Sequence, residues 1–95
     1  MRNAMNRIIE HNAAQQQFQY EEDAQMARLD YTLSDGVMTI THTGVPRPLE
    51  GRGIAGDLTR TALDTARREG WKVRPACSYA HAYINRHPEY QDLLP

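Results

Sequence analysis

The spacing of apolar residues changes once along this chain, at Val45–Leu49 (VPRPL), and that change constrains the fold more than any single motif. Before it, Leu29, Tyr31 and Leu33 alternate with Arg28, Asp30 and Thr32, the period-two pattern of a half-buried strand. Ser34-Asp35-Gly36 supplies a turn with Asp-Gly as its hairpin cue, and the β-branched run Val37–His42 (VMTITH) follows. Residues 24–43 are therefore expected to form a hairpin. Arg7–His11 (RIIEH) and Gln16–Tyr20 (QQFQY) read as shorter strands upstream.

Two prolines in three residues remove donors and fix φ, so VPRPL is read as a loop rather than a central strand or a helix. From Gly53 onward Ile54, Leu58, Ala62 and Ala66 recur every four residues, one face of an amphipathic helix. Arg60 with Asp64 and Asp64 with Arg68 stand at i,i+4 on its outer side. Gly70 is placed to stop this helix. Trp71–Arg74 (WKVR) suits one buried strand ended by Pro75, and Ser78–Arg86 suits a second helix broken at Pro88. The order predicts one α+β domain over residues 1–95, a largely antiparallel sheet with two helices in the C-terminal half.

The totals limit the partners. No apolar run approaches the roughly 18 residues of a membrane span, and MRNAMNRIIEHN lacks the apolar core of a secretory signal. Cys77 is the only cysteine, which excludes an internal disulfide and gives no reason to expect an oxidising compartment. A cytoplasmic protein without a membrane partner is expected. A net charge of −1 argues against general nucleic-acid binding, which needs a basic excess. Residues 1–45 carry three Arg against six acids, whereas residues 46–95 carry eight Arg or Lys against six acids. That imbalance either suits a small anionic ligand in the second half or is scatter.

The second half contains Glu50–Gly56 (EGRGIAG), in which Gly51, Gly53 and Gly56 spell G-x-G-x-x-G. A dinucleotide fingerprint requires a strand leading into the first glycine and an acid about 20 residues beyond the last. Here a proline loop precedes the glycines, and Pro75, Ala76 and Cys77 stand at the acid's distance. A nicotinamide cofactor is therefore rejected. The loop's physical logic remains: successive amides over Arg52–Gly56 at a helix N-terminus favour phosphate. Arg47 and Arg52 are available as cations, and Asp57 opposes by competing for the same dipole. The alternative is a glycine-rich turn without a ligand.

Strand, then Val45, then Glu50-Gly51-Arg52-Gly53-Ile54-Ala55, then an amphipathic helix, is similar to the acyl-coenzyme A signature of the GNAT acetyltransferase superfamily. The chain further resembles the small YjdJ-type branch in His42-Thr43-Gly44-Val45-Pro46, in Leu49–Ala55, in Pro75-Ala76-Cys77 and in Tyr83–Tyr90 (YINRHPEY). The resemblance runs over residues 8–94 and implies a minimal GNAT fold that binds acetyl-coenzyme A. It implies a pyrophosphate on Arg52, Gly53, Ile54, Ala55 and Gly56, with Gly51 and Arg47 beside them. It implies a pantetheine arm along Thr43, Gly44 and Val45, where the strand diverges from Trp71–Arg74. The acceptor would be an unidentified small-molecule or protein amine, or a thiol. Glu50 stands where the superfamily usually has Gln or Arg, and Gly44 where the branch often has Glu.

Acyl transfer to an amine needs a held thioester, a base for the amine and an acid for the leaving thiolate. His42, at a strand end beside the loop, is the candidate base, or an ordinary histidine. Tyr83 stands where the family commonly has the acid, or is a core tyrosine. Cys77, at the start of a helix, is a candidate nucleophile that would carry the acetyl group, or a small buried hydrophobe. His81 lies four residues on and is placed to assist it. Cys77, His81 and His87 have no fourth ligand nearby, so no metal is expected.

Overall fold

Tight turns whose backbones run left-handed organise the first half of the chain. Asp35 and Gly36 both have positive φ (53° and 74°), as do Asp23 and Ala24 (54° and 61°), so each pair closes a two-residue hairpin whose twist matches its strands. In the computed structural model, which describes residues 7–95, five strands follow in sequence order across one sheet. They are β1 (Glu10–Asn12), β2 (Gln17–Glu22), β3 (Gln25–Ser34), β4 (Val37–Gly44) and β5 (Lys72–Pro75). β1 to β4 pair antiparallel, and β5 pairs parallel to β4. The parallel step requires a long crossover, supplied by a 3-10 turn at Arg47–Leu49 and helix α1 (Ile54–Glu69). Helix α2 (Ser78–Arg86) and a second 3-10 segment (Pro88–Leu93) complete the described chain.

The α+β architecture expected from the order of elements is the one observed. Several boundaries move, each for a local reason. The strand expected over Arg7–His11 is β1 at Glu10–Asn12, because residues 7–9 lie outside the ladder and Arg7 reaches α1 instead. The strand expected over Gln16–Tyr20 runs to Glu22, since the Asp23-Ala24 turn lets β2 and β3 pair to their ends. Trp71 donates its N–H to Ala66 O and so belongs to the end of α1, not to β5. Pro88 ends α2 as expected but opens a further turn. Residues 1–6 of the expected domain lie outside the described residues.

Residues paired across neighbouring strands share a face of the sheet. Phe18, Leu29, Tyr31, Ile40, Met38 and Val73 fall on one face and are buried. Both helices pack on that face, forming a single core with them. Ile54, Leu58, Ala62 and Ala66 of α1 are all buried, as the four-residue repeat predicts. The i,i+4 ion pairs expected on its outer side do not form. Arg60 instead pairs with Asp57 at 3.1 Å, and Asp64 accepts the Tyr90 hydroxyl at 2.8 Å, which ties the last turn to the helix. The other face of the sheet is polar: Glu10, Gln19, Arg28 and Gly44 form one row across it, and Asn12, Gln17, Asp30 and His42 the next.

Candidate functional site

β4 and β5 lie side by side from Val37–Lys72 to Ile40–Pro75 and then part. The amides of Ala76 and Cys77 both turn back to donate to Ile40 O at 3.0 Å, which swings the chain away from β4. β4 itself continues to Gly44, paired only with β3. The separation leaves a cleft of about 350 Å³ lined by Thr43, Val45, Leu49, Glu50, Gly51, Gly53, Ile54, Ala55, Gly56 and Tyr79. Of the residues proposed from sequence to hold coenzyme A, seven line it.

Two of the three glycines at the cleft are favoured by the backbone. Gly51 and Gly53 have φ of 81° and 80°, a left-handed conformation that costs other residues roughly 1–2 kcal/mol. Gly53 is also the N-cap of α1, and no side chain among the described residues caps that end. The amides of Ile54, Ala55 and Gly56 therefore point out of the first turn without intrahelical partners, the arrangement that accepts an anion.

The loop's own cations are elsewhere. Arg52 pairs with Glu22 and donates to Pro48 O, and Arg47 is exposed; neither lines the cleft. Asp57 is buried in the first turn of α1 and held by Arg60 and by Arg7. Sequence reasoning missed Arg7. It pairs with a residue 50 positions away, and no local pattern carries such a contact.

The three groups considered for chemistry are not brought together. On β4 one extra residue, Thr41, stands between Ile40, paired with Tyr31, and His42, paired with Asp30. This bulge reverses the alternation beyond it. Thr43 therefore faces the core, with its hydroxyl 3.6 Å from Cys77 Sγ, while His42 is exposed on the polar face beside Gly44. Asp30, opposite His42, has one carboxylate oxygen buried without a hydrogen-bond partner among the described residues.

Cys77 is half-buried and is the N-cap of α2, its sulfur accepting the Ala80 amide at 3.3 Å. His81 is exposed and lies beside Asn85, one turn from Cys77 rather than against it. Tyr83 is buried behind the cleft, stacked on His87 with centroids 4.1 Å apart, and burial raises its pKa. Tyr79, one helical turn earlier, is the tyrosine that lines the cleft. Its spacing from Tyr83 places both on one face of α2, a signal that was present in the sequence.

Residues 17–93 match the family model described as GCN5-related N-acetyl-transferase. The chain belongs to this family. Protein NATD1 of Mus musculus and that of Gallus gallus are each 30% identical to it over 89 residues, covering 90% of this chain and 80% of the relative. The solution structure of a GCN5-like protein from Staphylococcus aureus superposes with a TM-score of 0.73 at 28% identity, covering 95% of this chain and 89% of that one. The five-stranded α+β fold of this chain is thus shared with a GCN5-like protein. Among the described residues no helix is long and apolar enough to cross a membrane, and no three His, Cys, Asp or Glu gather to hold a metal.

Proposed function

We propose that this protein binds acetyl-coenzyme A in the cleft at the end of β4 and transfers the acetyl group to an amine or thiol acceptor. One observation carries the reading: an uncapped helix N-terminus, a strand edge abandoned by its neighbour and a glycine turn line one cleft. The donors fit the ligand. The amides of Ile54, Ala55 and Gly56 suit a pyrophosphate, and the backbone of Thr43, Gly44 and Val45 suits the amides of a pantetheine arm. Bound acetyl-coenzyme A supplies an activated thioester.

The chain's own groups supply proton transfer. Tyr79 lines the cleft, with its hydroxyl 3.5 Å from the Cβ position of Gly56, where it is placed to protonate a leaving thiolate, with Tyr83 packed behind it. His42 lies on the open polar face, where it is placed to take a proton from an acceptor approaching there. Cys77, reached through Thr43, is the alternative acyl acceptor. In that route its sulfur forms a thioester as the coenzyme A sulfur–carbon bond breaks, and the thiol proton passes to the departing thiolate. The closer placement in the YjdJ-type branch rests on His42–Pro46 and Tyr83–Tyr90, and the cytoplasmic location is the default in the absence of other signals.

Calorimetric titration with acetyl-coenzyme A tests binding. Saturable heat in the wild type, lost in Gly53→Glu, is expected; the absence of heat at millimolar ligand would refute the reading. A second reading, an acyl-coenzyme A binding module without turnover, is favoured by the placement of His42 on the face opposite Cys77 and Tyr83. Steady product formation from a panel of amines decides against it.

A further inference from the structure

We propose that Arg7 makes the glycine loop selective for a phosphorylated carrier, by converting the charge at the start of α1 from neutral to positive. The proposal rests on the reading of the cleft as an acyl-coenzyme A site. Asp57 stands in the first turn of α1, 5% exposed, with its own N–H bonded to Gly53 O at 3.1 Å. A carboxylate at that position satisfies the helix dipole itself and repels an arriving phosphate. Two guanidiniums hold it: Arg60 Nη2 at 3.1 Å from Oδ1, and Arg7 Nη1 on Oδ2. Asp57 and Arg60 alone sum to zero, so the third member decides the sign.

Arg7 is fixed beneath the loop as well as against the helix. Its Nη2 donates to Arg52 O, a carbonyl of the glycine turn. Its Nη1 lies 3.9 Å from where a Cβ on Gly53 would stand, the one atom within 4 Å of that point among the described residues beyond Gly53's neighbours. Its guanidinium sits 5.6 Å from the Tyr20 ring centroid, and the side chain is 13% exposed, so the charge is shielded from bulk water. Arg52, the cation inside the motif, is engaged by Glu22, and Glu50 adds a carboxylate to the cleft wall. The cation that compensates them comes from the other end of the chain.

A charge role and a bracing role predict opposite signs for two variants. Arg7→Met removes the guanidinium from an unbranched side chain, and Asp57→Asn removes the carboxylate charge at nearly constant shape. Each is titrated with acetyl-coenzyme A and with acetyl-pantetheine, which lacks the phosphates. Arg7→Met is expected to weaken acetyl-coenzyme A about tenfold or more, the scale of one charge-assisted contact, and to leave acetyl-pantetheine unchanged. It should also flatten the dependence of affinity on salt. Asp57→Asn is expected to bind acetyl-coenzyme A at least as tightly as the wild type.

Equal weakening of both ligands by Arg7→Met, or weakening by Asp57→Asn, would overturn the proposal and leave Arg7 as a structural tie. Should Arg7→Met fail to fold, Arg7→Lys keeps the charge without the two-pronged geometry. Near wild-type affinity supports the proposal, and a tenfold loss sinks it. A wild type that binds neither ligand removes the reading of the cleft itself. A wild type that binds both ligands equally keeps that reading and removes the role of Arg7.

Discussion

Gly56→Ala separates what the glycine does for the fold from what it does for the site. Gly56 is the third residue of α1, where its backbone is helical, so the left-handed argument that protects Gly51 and Gly53 does not apply. A Cβ built there meets Tyr79 Oη at 3.5 Å and Tyr83 Cε2 at 3.8 Å, both ordinary contacts. Glycine in a helix interior costs about 0.8–1 kcal/mol relative to alanine, and somewhat less near the first turn, so the substitution should stabilise the protein by about 0.5–1 kcal/mol. For a domain of this size that is a rise in Tm of about 2–8 °C. Gly56 lines the cleft, so under the proposed reading the same methyl would crowd a phosphate oxygen approaching the residue 56 amide. Losing one such hydrogen bond weakens acetyl-coenzyme A about two- to tenfold. Thermal unfolding followed by far-ultraviolet circular dichroism, with calorimetric titration on the same samples, reads both. A lowered Tm would show that Gly56 is there to let α1 and α2 approach; a raised Tm with unaltered affinity would remove it from the binding surface. Gly53→Ala is the counterpart: its φ of 80° predicts a loss of about 1–2 kcal/mol, so the two glycines should split in stability while both lose affinity.

Tyr79→Phe should lower turnover with little change in Tm, because Tyr79 lines the cleft, whereas Tyr83→Phe should leave turnover near the wild type. The reverse ranking in a steady-state assay would return the acid role to Tyr83. His11 stacks on Phe18 at 4.1 Å and bonds the Tyr31 hydroxyl at 2.7 Å. The residue is exposed overall, yet partial desolvation, with Arg68 adding to it and Glu69 opposing, holds its pKa below the ordinary 6.5. The folded form therefore resists a proton that the unfolded chain accepts. Stability present above about pH 6.5 is lost as pH falls through the folded value. The urea midpoint of the wild type should fall more between about pH 7.5 and about pH 5 than that of His11→Gln; parallel profiles would refute this.

The parts of the fold visible in the sequence are those whose cause is local. Ile54, Leu58, Ala62 and Ala66 announce α1 because burial on one helical face needs that spacing, and all four are buried. Gly51 and Gly53 announce the loop because its left-handed backbone admits other residues only at a cost. The bulge at Thr41 had no such mark. Thr39-Ile40-Thr41-His42-Thr43 alternates without a glycine or proline, and the extra residue is fixed only by where β3 and β5 hold β4 on either side. That one residue decides which face His42 occupies, which its position at a strand end beside the loop does not reveal.

The charge of the site was hidden for the same reason. The motif places Arg52 in the loop, yet Glu22 at the β2–β3 turn draws it away, and Arg7 arrives from a segment 50 residues from Asp57. A glycine-rich motif therefore fixes a backbone conformation and its amides, while the electrostatic potential those amides present is a tertiary property. Two chains with the same EGRGIAG can differ in their preference for phosphate if one lacks a cation where Arg7 stands. Grafting that single arginine's surroundings, rather than the loop, is what would transfer the preference.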